Sequence, residues 1–147
     1  MSETGTAKTA AVVYRSHTGR TRQFAEEIAA HLRTQGIETE VVSVGEADVA
    51  RLATVDYLLL GCWTNGLFVI LQHPDEPWLA FVRDLPSITR PRVGLFTTYQ
   101  LLTGSMFAKM RAALAGKAPV PGLELKSRDS RLSERDKEAL TRFVAGG

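Results

Sequence analysis

The sequence predicts an α/β fold in which a five-stranded parallel β-sheet carries helices on both of its faces. Short apolar runs alternate with amphipathic stretches five times along the chain, and strict β–α alternation is typical of parallel sheets. The third run, VDYLLLG at residues 55–61, is mainly apolar, as expected of a strand that helices cover on both sides. A length of 147 residues suits one domain, so we expect a single domain at residues 9–147, preceded by a disordered tail at residues 1–8.

The first half of the chain contains two predicted β–α units. A strand is predicted at Thr9–Arg15 (TAAVVYR), which is short and rich in valine. A helix follows at residues 21–35, because apolar side chains recur along one face and Gly36 supplies a stop. The partly alternating, β-branched residues 37–44 predict the second strand, and residues 46–53 predict a short helix.

The second half contains three further units. Residues 55–61 form the third predicted strand, and residues 62–74 form a long loop after it. A helix is expected at residues 75–85, because Asp75 suits the N-cap position and Pro77 suits the first turn. The remaining predicted elements are a strand at Arg92–Thr98, a helix at residues 105–115, a short strand at residues 123–127 and a last helix capped by Ser133.

The fold class predicts where the chemistry lies. In open parallel sheets, ligands bind outside the carboxyl ends of the strands, where the strand order reverses. Three loops follow the first, third and fourth predicted strands, at residues 15–21, 61–74 and 98–104. We therefore expect the functional residues in these three loops.

The first of these loops, SHTGRT at residues 16–21, has the composition of a phosphate site. Three hydroxyl groups and Gly19 lie at the predicted start of a helix, where unpaired backbone N–H groups and the helix dipole attract anions. Arg15, Arg20 and Arg22 add positive charge, which is unfavourable in a first helical turn unless an anion is bound. Helix capping alone explains one or two of the hydroxyl groups. The sequence therefore predicts a phosphate-bearing ligand.

Several other ligand classes are excluded because their motifs are missing. The chain has neither the GxGxxG dinucleotide fingerprint nor the GxxxxGK[ST] nucleotide loop. Arg15 and His17 stand where a receiver domain would need acidic residues for Mg²⁺, and the D-x-H-x-x-G motif of cobalamin-binding domains is absent. The three histidines and one cysteine lack metal-ligand spacing, so we expect no metal site. There is also no GxSxG motif, and no catalytic nucleophile is expected.

The loop pattern S-x-T-G-x-T resembles the FMN-phosphate loop of the flavodoxin family. Residues 56–66 (DYLLLGCWTNG) are also similar to that family's third strand and flavin loop, D-x-L-L-x-G-x-x-T-W-x-x-G. The resemblance covers nearly the whole chain from Thr9 on, and no insertion interrupts the fifth strand, as in short-chain members. It implies a three-layer flavodoxin-like fold with strand order 2-1-3-4-5, and FMN as the cofactor.

The resemblance also implies which residues hold FMN. Ser16, Thr18 and Thr21, with the amides of residues 17–21, would hold the phosphate. Residues 62–66 would lie along one side of the isoalloxazine ring, and residues 98–104 along the other. The predicted cofactor-binding residues are Ser16, His17, Thr18, Gly19, Arg20, Thr21, Cys62, Trp63, Thr64, Asn65, Gly66, Thr98, Tyr99, Gln100, Thr103 and Gly104.

The flavin loop departs from the family pattern, because Trp63 precedes Thr64 instead of following it. Trp63 either stacks on the flavin or packs inside and leaves Phe68 for that role. Cys62 is expected to be a small buried side chain, with a redox role as the alternative.

The loop after the fourth strand also departs from the pattern, because it lacks the acidic, Gly-Asp-rich character of carrier flavodoxins. Tyr99 is expected to be the second ring contact, unless it simply packs under the loop. Gln100 and Thr103 are expected to contact the edge of the ring.

The net charge of the chain indicates which kind of binding partner to expect. The net charge of +2 is too small to indicate nucleic acid binding, and carrier flavodoxins use a strongly negative face to find basic reductases. The resemblance thus implies an electron-transfer protein, and the charge suggests a neutral or acidic redox partner protein. Two alternatives stay open. One is a small NAD(P)H-dependent FMN quinone or flavin reductase, often a homodimer, and the other is a non-catalytic partner-binding domain.

The location is expected to be cytoplasmic. No stretch reaches the apolar length needed to cross a bilayer, and residues 1–9 lack the apolar core of a secretion signal. The single cysteine also allows no internal disulfide, which fits a reducing compartment.

Overall fold

A computed structural model of the protein describes residues 8–64, 74–99 and 103–145. Within these residues, strands and helices alternate from one end to the other. In chain order they are β1 (Thr9–Arg15), α1 (Arg20–Thr34), β2 (Glu38–Ser43), α2 (Val49–Leu52), β3 (Tyr57–Trp63), α3 (Glu76–Asp84), β4 (Arg92–Thr98), α4 (Met106–Leu114), β5 (Glu124–Ser127) and α5 (Glu134–Ala145).

The strands form one parallel sheet in the order β2-β1-β3-β4-β5, which confirms the predicted topology. The order reverses between β1 and β3, because the chain moves outward to β2 first and then to the opposite side. Arg15 pairs with Cys62 across this point, so the two strands end almost level. In open parallel sheets, this is the point at which a ligand is expected to bind.

Helices cover both faces of the sheet, as the alternation predicted. On one face, α1 and α5 contribute Phe24, Ile28 and Phe143 to a buried cluster. On the other face, α2, α3 and α4 pack their apolar sides, with Trp78 and Met110 fully buried. The result is the three-layer α/β architecture, with an apolar core on each side of the sheet. Among the described residues, no helix is long and apolar enough to cross a membrane.

Most elements begin and end within one residue of their predicted positions, but the third strand does not. The predicted strand at residues 55–61 is wrong by two residues at both ends, because β3 runs Tyr57–Trp63. Cys62 and Trp63 pair with β4 instead of opening the loop. The pairing continues because it depends on β4, which lies far away in sequence and presents hydroxyl and carbonyl groups there.

The second helix is also shorter than predicted. Residues 46–53 were expected to be helical, but α2 covers only Val49–Leu52. The carboxylate of Asp48 accepts the backbone N–H groups of Ala50 and Arg51, which fixes the helix start at that point. The residues before it form a turn in which Glu46 N–H donates to Ser43 O at 3.0 Å.

The centre of the sheet depends on one glycine. Gly61 of β3 pairs with Phe96 of β4, and the Phe96 ring lies directly over the Gly61 α-carbon. A Cβ at Gly61 would lie 2.1 Å from a ring carbon, well inside van der Waals contact. Only glycine therefore allows this ring to occupy the core at this position.

The predicted tail at residues 1–8 lies, except for Lys8, outside the described residues, and both the tail and the extent of the domain stay predictions.

Candidate functional site

The turn from β1 into α1 is built around Gly19. Gly19 has φ 91° and ψ −7°, a left-handed conformation that favours glycine. Its N–H donates to the Ser16 Oγ at 2.9 Å, which closes the turn. A Cβ on Gly19 would meet no atom of the described residues within 4 Å. The Ser16 hydroxyl hydrogen stays available to a ligand, because the hydroxyl oxygen is the acceptor in this bond.

The start of α1 has the features of an anion site. No side chain of the described residues caps the helix, and its first turn contains no acidic residue. The first backbone N–H groups of a helix have no partner within it, so they are available to a ligand. Thr18, Arg20 and Arg22 are exposed around this point, and neither arginine forms an ion pair with a described residue. A bound phosphate would supply the missing cap and offset both charges, so the residues present fit the FMN phosphate.

Thr21 differs from the other hydroxyl residues of this turn, because its side chain is buried. Its Oγ1 lies 2.7 Å from the Oγ1 of Thr98, the last residue of β4. This hydrogen bond brings two of the predicted loops together, since one follows β1 and the other follows β4. Contact between Thr21 and a phosphate stays a prediction.

Trp63 brings the predicted loop after β3 close to the turn between β1 and α1. It ends β3, is partly buried, and packs against the core on the α3 side of the sheet. The ring of His17 stacks on it, with 4.5 Å between ring centroids and 23° between ring planes. The next residue, Thr64, is held by β4, because its N–H donates to Thr98 O at 2.9 Å and its Oγ1 lies 2.8 Å from Thr97 Oγ1.

Asp75 lies beside the carboxyl ends of β1 and β3, and the sequence predicted it only as a helix cap. The capping role is present, since the carboxylate accepts the Trp78 N–H at 3.3 Å. The buried carboxylate also accepts the Arg15 Nε–H at 2.8 Å and the Trp63 Nε1–H at 2.7 Å. The sequence held one signal for these side-chain contacts. Arg15 is the last residue of the first predicted strand, and Cys62 and Trp63 directly follow the third.

Cys62 is part of the apolar core. Its side chain is fully buried, and Sγ donates to the Asp75 Oδ1 at 3.7 Å. Burial raises the pKa of this thiol far above its ordinary value, so it stays protonated and neutral at physiological pH. The expectation of a small buried side chain is thus met, and a contact between Cys62 and the flavin stays a prediction.

Tyr99 follows β4 and is flanked by cations. Lys126 Nζ lies 5.8 Å from its ring centroid, and the guanidinium carbon of Arg128 lies 5.5 Å from it. The Tyr99 N–H donates to Ser127 O at 3.2 Å, which extends the pairing of β4 with β5. Tyr99 is half-buried, so part of its surface is available to a ligand.

The structure describes only part of the loops that follow β3 and β4. Thr103 accepts the N–H of Met106 at 2.9 Å through its backbone carbonyl, and Gly104 has φ 51° in the same turn. Three predicted site residues, together with Phe68, lie outside the described residues: Asn65, Gly66 and Gln100. Within the residues that the structure describes, no group of acidic, histidine or cysteine side chains could hold a metal ion.

Comparison with known proteins decides the family. The flavodoxin family model matches residues 12–117, more than half of the chain. The chain belongs to the flavodoxin family. The predicted resemblance is therefore confirmed, and flavodoxins bind FMN and transfer electrons to redox partner proteins.

Two curated flavodoxins are similar in sequence. The flavodoxin of Megasphaera elsdenii is 36% identical over 89 residues, which cover 60% of this chain and 63% of that protein. The flavodoxin of Clostridium beijerinckii is 32% identical over 89 residues, which cover 60% of this chain and 62% of that protein. The match thus spans less than two thirds of either relative.

Solved structures show the same fold over nearly the full length. The two-electron reduced flavodoxin of Megasphaera elsdenii has a TM-score of 0.74 at 22% identity, covering 94% of this chain and 99% of that one. A short-chain flavodoxin associated with a PDU bacterial microcompartment has a TM-score of 0.73 at 23% identity, covering 95% of each chain. The flavodoxin of Streptococcus pneumoniae TIGR4 has a TM-score of 0.71 at 21% identity, covering 93% and 95%. At these identities the likeness establishes the fold.

Proposed function

We propose that this protein binds FMN at the carboxyl edge of its sheet and exchanges electrons with a redox partner protein. One observation carries the proposal: α1 begins behind the left-handed Gly19, its first turn contains no acidic residue, and no described side chain caps it. The chain belongs to the flavodoxin family, and the phosphate of FMN would complete this helix end.

Residues of the three loops would contact different parts of the cofactor. The Ser16 and Thr18 hydroxyl groups and the first amides of α1 would bind the phosphate. Trp63 ends β3 and Tyr99 directly follows the neighbouring strand β4, and their rings would border the isoalloxazine. FMN supplies reversible redox chemistry when bound, while the protein fixes the ring, limits water around it and sets its electrostatic environment.

We propose a redox partner with a neutral or acidic docking surface. Lys126 and Arg128 flank Tyr99, beside the proposed position of the isoalloxazine. Positive charge around a docking site speeds association with acidic surfaces and opposes basic ones. We also propose a cytoplasmic location, where reducing conditions suit the free, buried thiol of Cys62.

The absorption spectrum of the purified protein tests cofactor binding. We expect flavin bands that survive desalting, or that appear when FMN is added and the excess removed. Lack of any retained flavin would contradict the proposal.

Mixing the FMN-loaded protein with NADPH or NADH separates an electron carrier from a reductase. A carrier is reduced only slowly by the nucleotide alone, since it takes its electrons from a partner protein. Rapid direct turnover would identify the protein as an NAD(P)H-dependent reductase.

A further inference from the structure

Asp75 is a buried carboxylate beside the proposed flavin site, and binding the phosphate makes no use of it. Its relative exposure is 6%. Oδ2 accepts the Arg15 Nε–H at 2.8 Å and the Trp63 Nε1–H at 2.7 Å. Oδ1 accepts the Trp78 N–H at 3.3 Å and the Cys62 thiol at 3.7 Å. Four donors from three elements thus converge on one side chain.

Helix capping does not account for this arrangement. Asp48 caps α2 from an exposed position, and among the described residues its carboxylate accepts only the backbone N–H groups of Ala50 and Arg51. Asp75 accepts one backbone N–H group as a cap, and its other donors are side chains. A buried carboxylate is costly unless it is paired and hydrogen-bonded, so its donors are held tightly in place.

The donor that faces the proposed cofactor is Trp63. Asp75 fixes the nitrogen edge of this indole, and His17 from the phosphate turn covers a face of the ring. An indole held at its edge cannot rotate about its side-chain bonds without breaking a hydrogen bond to a charged acceptor. The carboxylate therefore determines which surface of Trp63 borders the phosphate turn.

We propose that Asp75 is a positioning residue of the flavin site, which acts on bound FMN by holding the Trp63 ring in one orientation. This inference rests on the proposed binding of FMN. It assigns to Asp75 an effect on cofactor affinity and on the midpoint potential of the bound flavin, both transmitted through Trp63.

Asp75→Asn separates the charge from the cap. Asparagine caps helices as well as aspartate does, but its amide offers one acceptor oxygen and no negative charge. Asp48→Asn is the matched control, because it makes the same change at the cap of α2. Both variants should therefore keep their helix caps, and only Asp75→Asn should disturb Trp63.

The indole N–H resonances of the FMN-free protein report directly on the hydrogen bond between Trp63 and Asp75. The protein has two tryptophans, Trp63 and Trp78, and Nε1 of Trp78 is buried with no hydrogen-bond partner among the described residues. Asp75→Asn should move the Trp63 indole resonance and speed its exchange with solvent, while Asp48→Asn should leave it unchanged. An unmoved Trp63 resonance in Asp75→Asn would overturn the inference.

FMN affinity and midpoint potential test the link to the cofactor. We expect Asp75→Asn to weaken FMN binding about tenfold, the effect of losing one hydrogen bond to a charged group. Trp63→Phe keeps an aromatic ring but has no N–H donor, and it should weaken binding by a similar factor. If Asp75 acts through Trp63, the double variant should match Trp63→Phe alone in both quantities.

The outcomes are distinguishable. Additive effects in the double variant, or wild-type affinity in Asp75→Asn, would overturn the inference and leave the proposed function standing. If Asp75→Asn does not fold, an unchanged affinity and potential in Trp63→Phe would overturn it. Failure of the wild-type protein to bind FMN would contradict the proposed function, and the role of Asp75 toward the flavin with it.

Discussion

The Oγ1 atoms of Thr21 and Thr98 lie 2.7 Å apart inside the protein and join the first turn of α1 to the last residue of β4. Both side chains are buried, with relative exposures of 0% and 4%. The bond fixes the distance between the phosphate turn and the loop that begins at Tyr99. Two parts of the proposed flavin site, far apart in sequence, therefore hold their relative positions without the cofactor.

The hydroxyl pair makes a prediction about stability. Thr21→Val leaves the Thr98 hydroxyl buried without a partner, and we expect a loss of roughly 1–3 kcal/mol in the free energy of unfolding. The double variant with Thr98→Val removes both hydroxyl groups and should be closer to wild type than either single variant. Chemical denaturation measures both quantities. A double variant that is less stable than both single variants would contradict this explanation.

Gly61 makes a second prediction, about the core. Gly61→Ala would drive a methyl group into the Phe96 ring, and we expect it to lower the free energy of unfolding by about 2 kcal/mol or more. Gly45→Ala is the control, because a Cβ there meets nothing within 4 Å. Thermal or chemical unfolding compares the two. Equal stability of the two variants would show that the Phe96 ring moves aside freely.

Two glycines at opposite ends of α1 test the phosphate turn. Gly19 has φ +91° and Gly36 has φ +80°, and neither has a neighbour that a Cβ would meet. Alanine at either position should therefore cost a similar amount, roughly 1 kcal/mol, from the left-handed backbone. Only Gly19→Ala should weaken FMN binding, by about tenfold, because the backbone there must approach the anion. Equal FMN affinities for the two variants would place the phosphate elsewhere.

The lowered pKa of Asp56 predicts part of the pH dependence of the free energy of unfolding. Burial alone would raise its pKa, but the Thr9 N–H bond and the charge of Arg90 bring the pKa below the ordinary value of 3.8. A lowered pKa in the folded state stabilises the protein above the unfolded-state pKa, and this stabilisation is lost as pH falls through the folded-state value. The difference in stability between wild type and Asp56→Asn should thus be constant near neutral pH and shrink below about pH 4. A difference that grows on acidification would contradict this assignment.

The fold was predictable because its determinants are local. The apolar runs of β1 and β4 and the cap and proline of α3 lie within a few residues of the elements they specify. The end of β3 was not predictable in this way, because Cys62 and Trp63 continue the strand through hydrogen bonds to β4.

The same distinction between local and distant determinants applies to the candidate site. The phosphate turn is one continuous segment, so its composition showed its chemistry. The role of Asp75 depends on Arg15, which lies 60 residues away in sequence, and on which of several strand ends lie beside it. Only the folded sheet brings these two side chains together.

Comparison of FMN with riboflavin in a titration of the wild-type protein tests the central claim most directly. The two flavins share the isoalloxazine ring and differ in the phosphate, which we assign to the start of α1. We expect FMN to bind at least about a hundredfold more tightly, which corresponds to roughly 3 kcal/mol. Equal binding of the two flavins, or binding of neither, would contradict a phosphate site at this helix.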